Sequence, residues 1–167
     1  TNDWSVLHKD NTDGNFLQLN GASAESGSGS IFGSPTARPT DSVFTIGNAG
    51  ETGTLNKTYI AYCFTSIPGY SKIGSYIGTG GAFTVYTGFA PSFVMIKRSD
   101  STANWVIIDN KRGGTSRARL YPNLSSAEDN NQGDTLTSNG FSPRTTPTAD
   151  TNINGGTFIY LAIIKIK

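Results

Sequence analysis

The chain has 167 residues, enough for one ordinary domain or two small ones, and Gly, Ser, Thr and Asn fill roughly 70 of its positions, a composition that points away from long helices and towards an all-β protein. Thirteen Lys plus Arg against twelve Asp plus Glu leave a net charge of +1, which argues against a duplex-DNA binder that neutralises many phosphates. One Cys and one His exclude an internal disulfide and a Cys/His zinc site, and no apolar run reaches the roughly 18 residues of a membrane span.

Apolar-polar alternation and short Gly/Asn/Asp/Pro punctuation predict antiparallel strands over 3–8, 15–19, 42–47, 57–65, 73–78, 82–87, 92–98, 104–109, 117–121, 135–138 and 157–166. The polar stretches 20–30 and 142–156 read as loops. A short helix is expected over Ser125–Asp129, with Ser125 or Ser126 as its cap. Cys63, between Tyr62 and Phe64 in a strand, reads as a small buried hydrophobe. The first ten residues carry no signal-peptide core, and the chain opens without Met in a strand-like segment, as an excised piece of a longer protein would.

An internal repeat runs through these elements at an offset near one hundred residues. Asp3-Trp4-Ser5-Val6-Leu7 matches Asn104-Trp105-Val106-Ile107-Ile108, and Phe16-Leu17-Gln18-Leu19 with Ser23-Ala24-Glu25 parallels Ala118-Arg119-Leu120-Tyr121 with Ser126-Ala127-Glu128. Phe32-Gly33 answers Gly140-Phe141, and Thr58-Tyr59-Ile60-Ala61-Tyr62-Cys63-Phe64 matches Thr157-Phe158-Ile159-Tyr160-Leu161-Ala162-Ile163. Residues 70–102 have no counterpart ahead of Trp4. The expected architecture is a single antiparallel two-sheet β-sandwich, jelly-roll or concanavalin-like in outline, shared between a partial copy at 1–66 and a full copy at 70–167.

The strand Tyr59-Ile60-Ala61-Tyr62-Cys63-Phe64, the turn Gly88-Phe89-x-Pro91 leading into Phe93-Val94-Met95-Ile96-Lys97-Arg98, and Trp105-x-Ile107-x-Asp109 recur as a set with Ser126-Ala127-Glu128 and Asn139-Gly140-Phe141. That set, which spans nearly the whole chain, resembles repeat modules in tail and other virion proteins of marine tailed bacteriophages. The resemblance implies a lectin-like β-sandwich module, often in tandem, in virion structural or host-contacting proteins. It implies no catalytic residues.

Trp4 and Trp105, in one repeat slot, read first as core and second as sugar-stacking faces. Tyr70, Tyr76 and Tyr86 flank Gly-rich turns and are ligand-contact candidates, against the plainer reading of half-buried strand tyrosines. Lys97, Arg98, Lys111, Arg112, Arg117 and Arg119 crowd against only Asp100 and Asp109. They form either a solvated edge or a contact for an acidic surface, such as anionic polysaccharide or a neighbouring virion subunit. Asp10, Asn11, Asp13 and Asn15 form an oxygen-rich loop that is a candidate calcium site, with Asp129, Asn130, Asn131 and Asp134 as a second; ordinary hairpin turns use the same residues, and no other cofactor is indicated.

Enzyme readings lack parts. His8 is the lone imidazole, no Gly-x-Ser-x-Gly elbow is present, and Asp109, the one carboxylate ending an apolar strand, is more simply a turn residue. The functional expectation is a non-enzymatic virion module, tail-associated and touching host glycans through its loops. A capsid or tail decoration protein with no glycan ligand is the alternative, and a polysaccharide depolymerase is third. Expected partners are other virion subunits and host surface polysaccharide, without nucleic acid or membrane insertion, in a homo-oligomer or a longer chain. The expected location is the virion, assembled in the host cytoplasm and extracellular after release.

Overall fold

The computed structural model describes residues 3–27, 29–33, 38–112, 118–130 and 133–164. In chain order the elements are β1 (Ser5–Val6), β2 (Asn15–Gln18), β3 (Ser26–Gly27), the single helical turn α1 (Gly29–Phe32), β4 (Ser71–Ile77), β5 (Val85–Tyr86), β6 (Pro91–Arg98), β7 (Val106–Asp109), β8 (Arg119–Leu120), β9 (Thr135–Thr137), β10 (Gly140–Ser142) and β11 (Thr157–Ile164). They form an antiparallel all-β fold of three sheets, ordered β4-β11-β6-β7-β8, β5-β10-β9 and β1-β2-β3.

The five-stranded sheet is the centre, and its inner strands β11 and β6 are largely apolar on both faces because both are covered. Successive side chains of a strand point to opposite sides. Val94, Ile96, Val106, Ile108, Phe158, Tyr160 and Ala162 accordingly meet Val85, Phe89 and Phe141 of the β5-β10-β9 layer, giving a sandwich-like core. The intervening residues Met95, Trp105 and Ile159 meet Val6, Leu17 and Leu19 from the β1-β2-β3 sheet on the other side. This double cover explains the near-continuous apolar runs of β6 and β11, a pattern ordinarily associated with fully buried strands. Close layer packing also dictates a glycine: a Cβ on Gly140 would stand 2.0 Å from the Val85 carbonyl oxygen, so only hydrogen fits there.

The sequence repeat is visible in three dimensions. Trp4 N–H donates to Asn20 Oδ1 at 2.9 Å while Asn20 Nδ2 donates to Asp3 Oδ1 at 2.8 Å. Trp105 N–H donates to Asn123 Oδ1 at 3.0 Å while Asn123 Nδ2 donates to Asn104 Oδ1 at 2.9 Å. The β1-β2 pair, in which Val6 faces Leu17, therefore corresponds to the β7-β8 pair, in which Ile107 faces Leu120. The β2-β3 contact of Phe16 with Ser26 corresponds in turn to the bridge between Arg119 and Asp129.

Several local expectations are corrected. Residues 42–47 form no strand, because Thr40 Oγ1 accepts from the Val43 amide at 3.0 Å and closes a local turn. Residues 57–65 form no strand, and among the described residues the amides of 58–65 donate no backbone hydrogen bond. No helix forms over Ser125–Asp129, since Asp129 exchanges both backbone hydrogen bonds with Arg119 and holds the segment extended. Residues 20–30, read as loop, contain β3 and the start of α1, and β10 adds a strand that was not expected. Cys63 is exposed, a consequence of its unpaired segment.

Candidate functional site

The basic residues do not converge on one surface. Lys97, on the face of β6 covered by the β1-β2-β3 layer, is fully buried, and its Nζ donates to the Ala22 carbonyl at 3.2 Å and to the Arg98 carbonyl at 2.6 Å. Burial pushes its pKa down to about 8. Arg98 grips Asp100 through Nε at 2.7 Å and Nη2 at 3.2 Å, and Arg112 lies 2.8 Å from Asp109 and 3.7 Å from Glu128. Arg119 is buried against Asp134 and donates to Thr151 Oγ1 at 2.8 Å. Burial opposes its charge, but the Asp134 carboxylate more than offsets this and holds the guanidinium above its ordinary range. Lys111 is exposed, and Arg117 lies outside the described residues. The cluster is thus split among local carboxylates for Arg98 and Arg112, backbone carbonyls for Lys97 and the distant Asp134 for Arg119, and Lys97 and Arg119 are corrected from surface cations to interior ones.

The tyrosines divide. Tyr76 belongs to the core: its ring stacks on Phe158 at 5.0 Å, and its hydroxyl donates to the Thr151 carbonyl at 2.8 Å. Burial, first, drives its pKa well above the ordinary phenol value, and its ring is taken up by core contacts. Tyr86 is 70% exposed on β5. Tyr70 is partly open and lines a shallow depression with Phe64, Ile67 and Ile163.

The loop read as a hairpin turn or a candidate calcium site closes on a guanidinium. Arg38 pairs with Asp13 and donates to the carbonyls of Asn11 at 2.5 Å and His8 at 3.4 Å, while Asp10 takes Lys9 Nζ at 2.6 Å. Asn11 Oδ1 caps the His8 amide at 3.1 Å, and Asn15 belongs to β2. Gly14, with φ 79°, completes the expected Asp-Gly turn. These oxygens perform turn and ion-pair work, with Arg38 standing where a cation would. In the second loop Asp134 is committed to Arg119 and to the Arg144 amide at 3.1 Å, Asp129 accepts from the Tyr121 hydroxyl at 3.0 Å, Asn130 is exposed, and Asn131 lies outside the described residues.

His8 is buried beside this loop and its Nδ1 accepts from the Asp10 amide at 3.1 Å, which requires the lone pair. Burial lowers its pKa from 6.5 to about 4. Because the unfolded chain binds the proton more readily, stability is expected to fall as pH drops from about 6.5 towards 4, by roughly 3 kcal/mol if this group acts alone. Urea titrations at stepped pH check this, and His8→Gln should remove up to about one proton from the acid dependence. An unchanged slope in that variant would assign the acid sensitivity to other groups.

The most distinctive surface is one that no sequence motif announces. Trp4 is 52% exposed, whereas its repeat partner Trp105 is 4% exposed and donates its Nε1–H to the Gln18 carbonyl at 2.8 Å. The core expectation holds for Trp105 and is overturned for Trp4, which stacks on Tyr62 with 6.2 Å between ring centroids. Ile60, Tyr62 and Phe64 of the segment 57–65, and Ile67 just beyond it, are also exposed apolar side chains and continue an open apolar band. The one available signal is the repeat itself, since a strand matching β11 needs two neighbours.

Fold and surface together define an antiparallel all-β repeat module with an exposed aromatic segment. The family described as a domain of unknown function, DUF7483, matches residues 1–165, and the chain belongs to that family. Comparison with curated proteins and with solved structures gives no significant match. Among the described residues no helix is long and apolar enough to cross a membrane.

Proposed function

We propose that this chain is a non-enzymatic structural module of a bacteriophage virion that works by packing against other virion subunits. The observation that carries the reading is the apolar band of Trp4, Ile60, Tyr62, Phe64 and Ile67, an uncharged surface suited to a protein neighbour. Burial of Lys97 and Arg119 and the core packing of the half-buried Tyr76 weigh against the adhesin reading, since they withdraw three of the side chains a glycan or acidic surface would have met. The resemblance of the Tyr59–Phe64 and Trp105–Asp109 motifs to phage virion repeats supports the setting. Immunogold microscopy of purified virions, with antibody raised against this chain, tests it. Label on the tail or capsid is expected, and virions without label would overturn the reading.

Tail-associated glycan contact is the second reading, favoured by Tyr86, which stands open on β5 where a ring can lie against a sugar. Under it, Tyr86→Ala should weaken retention on host polysaccharide by about tenfold, the loss of a stacking contact of roughly 1.4 kcal/mol, with no change in melting temperature. Equal retention of variant and parent would retire Tyr86 as a contact.

A further inference from the structure

We propose that residues 58–64 are a strand position awaiting two neighbours, and that its occupant is a pair of antiparallel strands of the β4 and β6 kind from another repeat of this family. This names the partner of the apolar band and rests on reading that band as a packing surface.

The precedent lies within the chain. Residues 58–64 align with 157–163, which belong to β11, and β11 is hydrogen-bonded on one side to β4 and on the other to β6. In β11 the side chains of Phe158, Ile159, Tyr160 and Ala162 are buried; their counterparts Tyr59, Ile60, Ala61 and Cys63 are all exposed. Among the described residues, the amides of 58–66 donate no backbone hydrogen bond. A row of unpaired amides carrying apolar side chains is a template for strand addition.

The remainder of the incomplete sheet is already assembled. In the complete copy the order is β4-β11-β6-β7-β8, and β1 and β2 reproduce β7 and β8 down to the Trp–Asn clasp. β1 is an edge strand, and by the order of the complete copy its free edge is the place of a β6-type strand lying between β1 and 58–64, with a β4-type strand on the far side of 58–64. Trp4 already stands over the segment through Tyr62, on the same strand face as Ile60, whose counterpart Ile159 packs with Trp105. The occupant's chemistry follows from residues 71–98: two strands able to pair on both edges of 58–64 and bury an apolar side chain on each face. The chain's own β4 and β6 are engaged by β11, so two identical chains meeting at this segment would pair only edge to edge.

The test is a fusion in which a second copy of residues 70–103 is joined directly ahead of Asp3 of the otherwise unchanged chain. The exposed Cys63 thiol is the reporter, because its counterpart Ala162 is fully buried. The rate of Cys63 modification by a disulfide reagent should fall by about tenfold or more in the fusion, as for a group that reacts only on local opening. A fusion carrying a Gly/Ser segment of equal length should react at the parent rate. Equal reactivity of the two fusions would overturn the proposal. So would a parent chain that light scattering finds dimeric with Cys63 protected, which would give the segment to a second copy instead. Failure of the virion reading is separate, being read from the immunogold label and not from the thiol.

Discussion

Arg119→Ala is expected to destabilise the fold by about 3–5 kcal/mol, the usual consequence of removing one partner of a buried ion pair. Arg119 and Asp134 are both sealed from solvent. Truncating Arg119 strands the Asp134 carboxylate and also takes a donor from Thr151 Oγ1. The penalty is chiefly that of an uncompensated buried charge, so it should shrink when both partners are replaced. Arg119→Met combined with Asp134→Leu should cost no more than about 2 kcal/mol, the remainder being the Arg144 amide whose hydrogen bond Asp134 also accepts. Urea unfolding of the two single variants and the double variant closes the cycle. A loss below about 1 kcal/mol for Arg119→Ala would show that the pair is hydrated and that the interior charge is not isolated.

The second large effect contrasts two residues in one repeat slot. Trp105→Ala should cost about 3–5 kcal/mol, because the indole fills the space between Ile159 and Met95 on one side and Leu17 on the other, and its N–H bonds the Gln18 carbonyl. Trp4→Ala should cost about 1 kcal/mol or less, since only the stack on Tyr62 and partial burial are lost. Thermal or urea denaturation of both variants reads the asymmetry. Equal losses would mean that Trp4 is covered in solution, by this chain or by a second copy of it, and would overturn the reading of the band as open.

Much of the fold is legible in the amino-acid pattern. Alternation in 73–78, 92–98, 104–109 and 157–166 locates the central sheet, because a strand apolar on both faces leaves a dense local signal. The same density misleads at 57–65: the residues have strand chemistry, yet a strand exists only when a neighbour accepts its hydrogen bonds. At 42–47 a Thr40 hydroxyl competes successfully for the backbone. The repeat alignment pairs Leu19 with Tyr121 and so overlooks Asn123, whose equivalence to Asn20 emerges only from the matching bonds to the Trp amides.

The candidate site is less legible, for an electrostatic reason. Lys97, Arg112 and Arg119 look like one basic cluster in sequence, but alternation along each strand and the arrival of Glu128 and Asp134 from later in the chain distribute them between interior and surface. Arg119 occupies the repeat slot that Phe16 fills with a ring, and no local pattern announces a buried cation there.

The all-β class, the internal repeat and the Asp-Gly turn are written in the chain's local pattern, since composition, periodicity and short-range backbone preferences act within a few residues. Only the tertiary structure decided which copy of each repeated residue is covered. Burial depends on what lies across the next layer, and among the described residues the layer that seals Trp105 and β11 has no counterpart over Trp4 and residues 58–64.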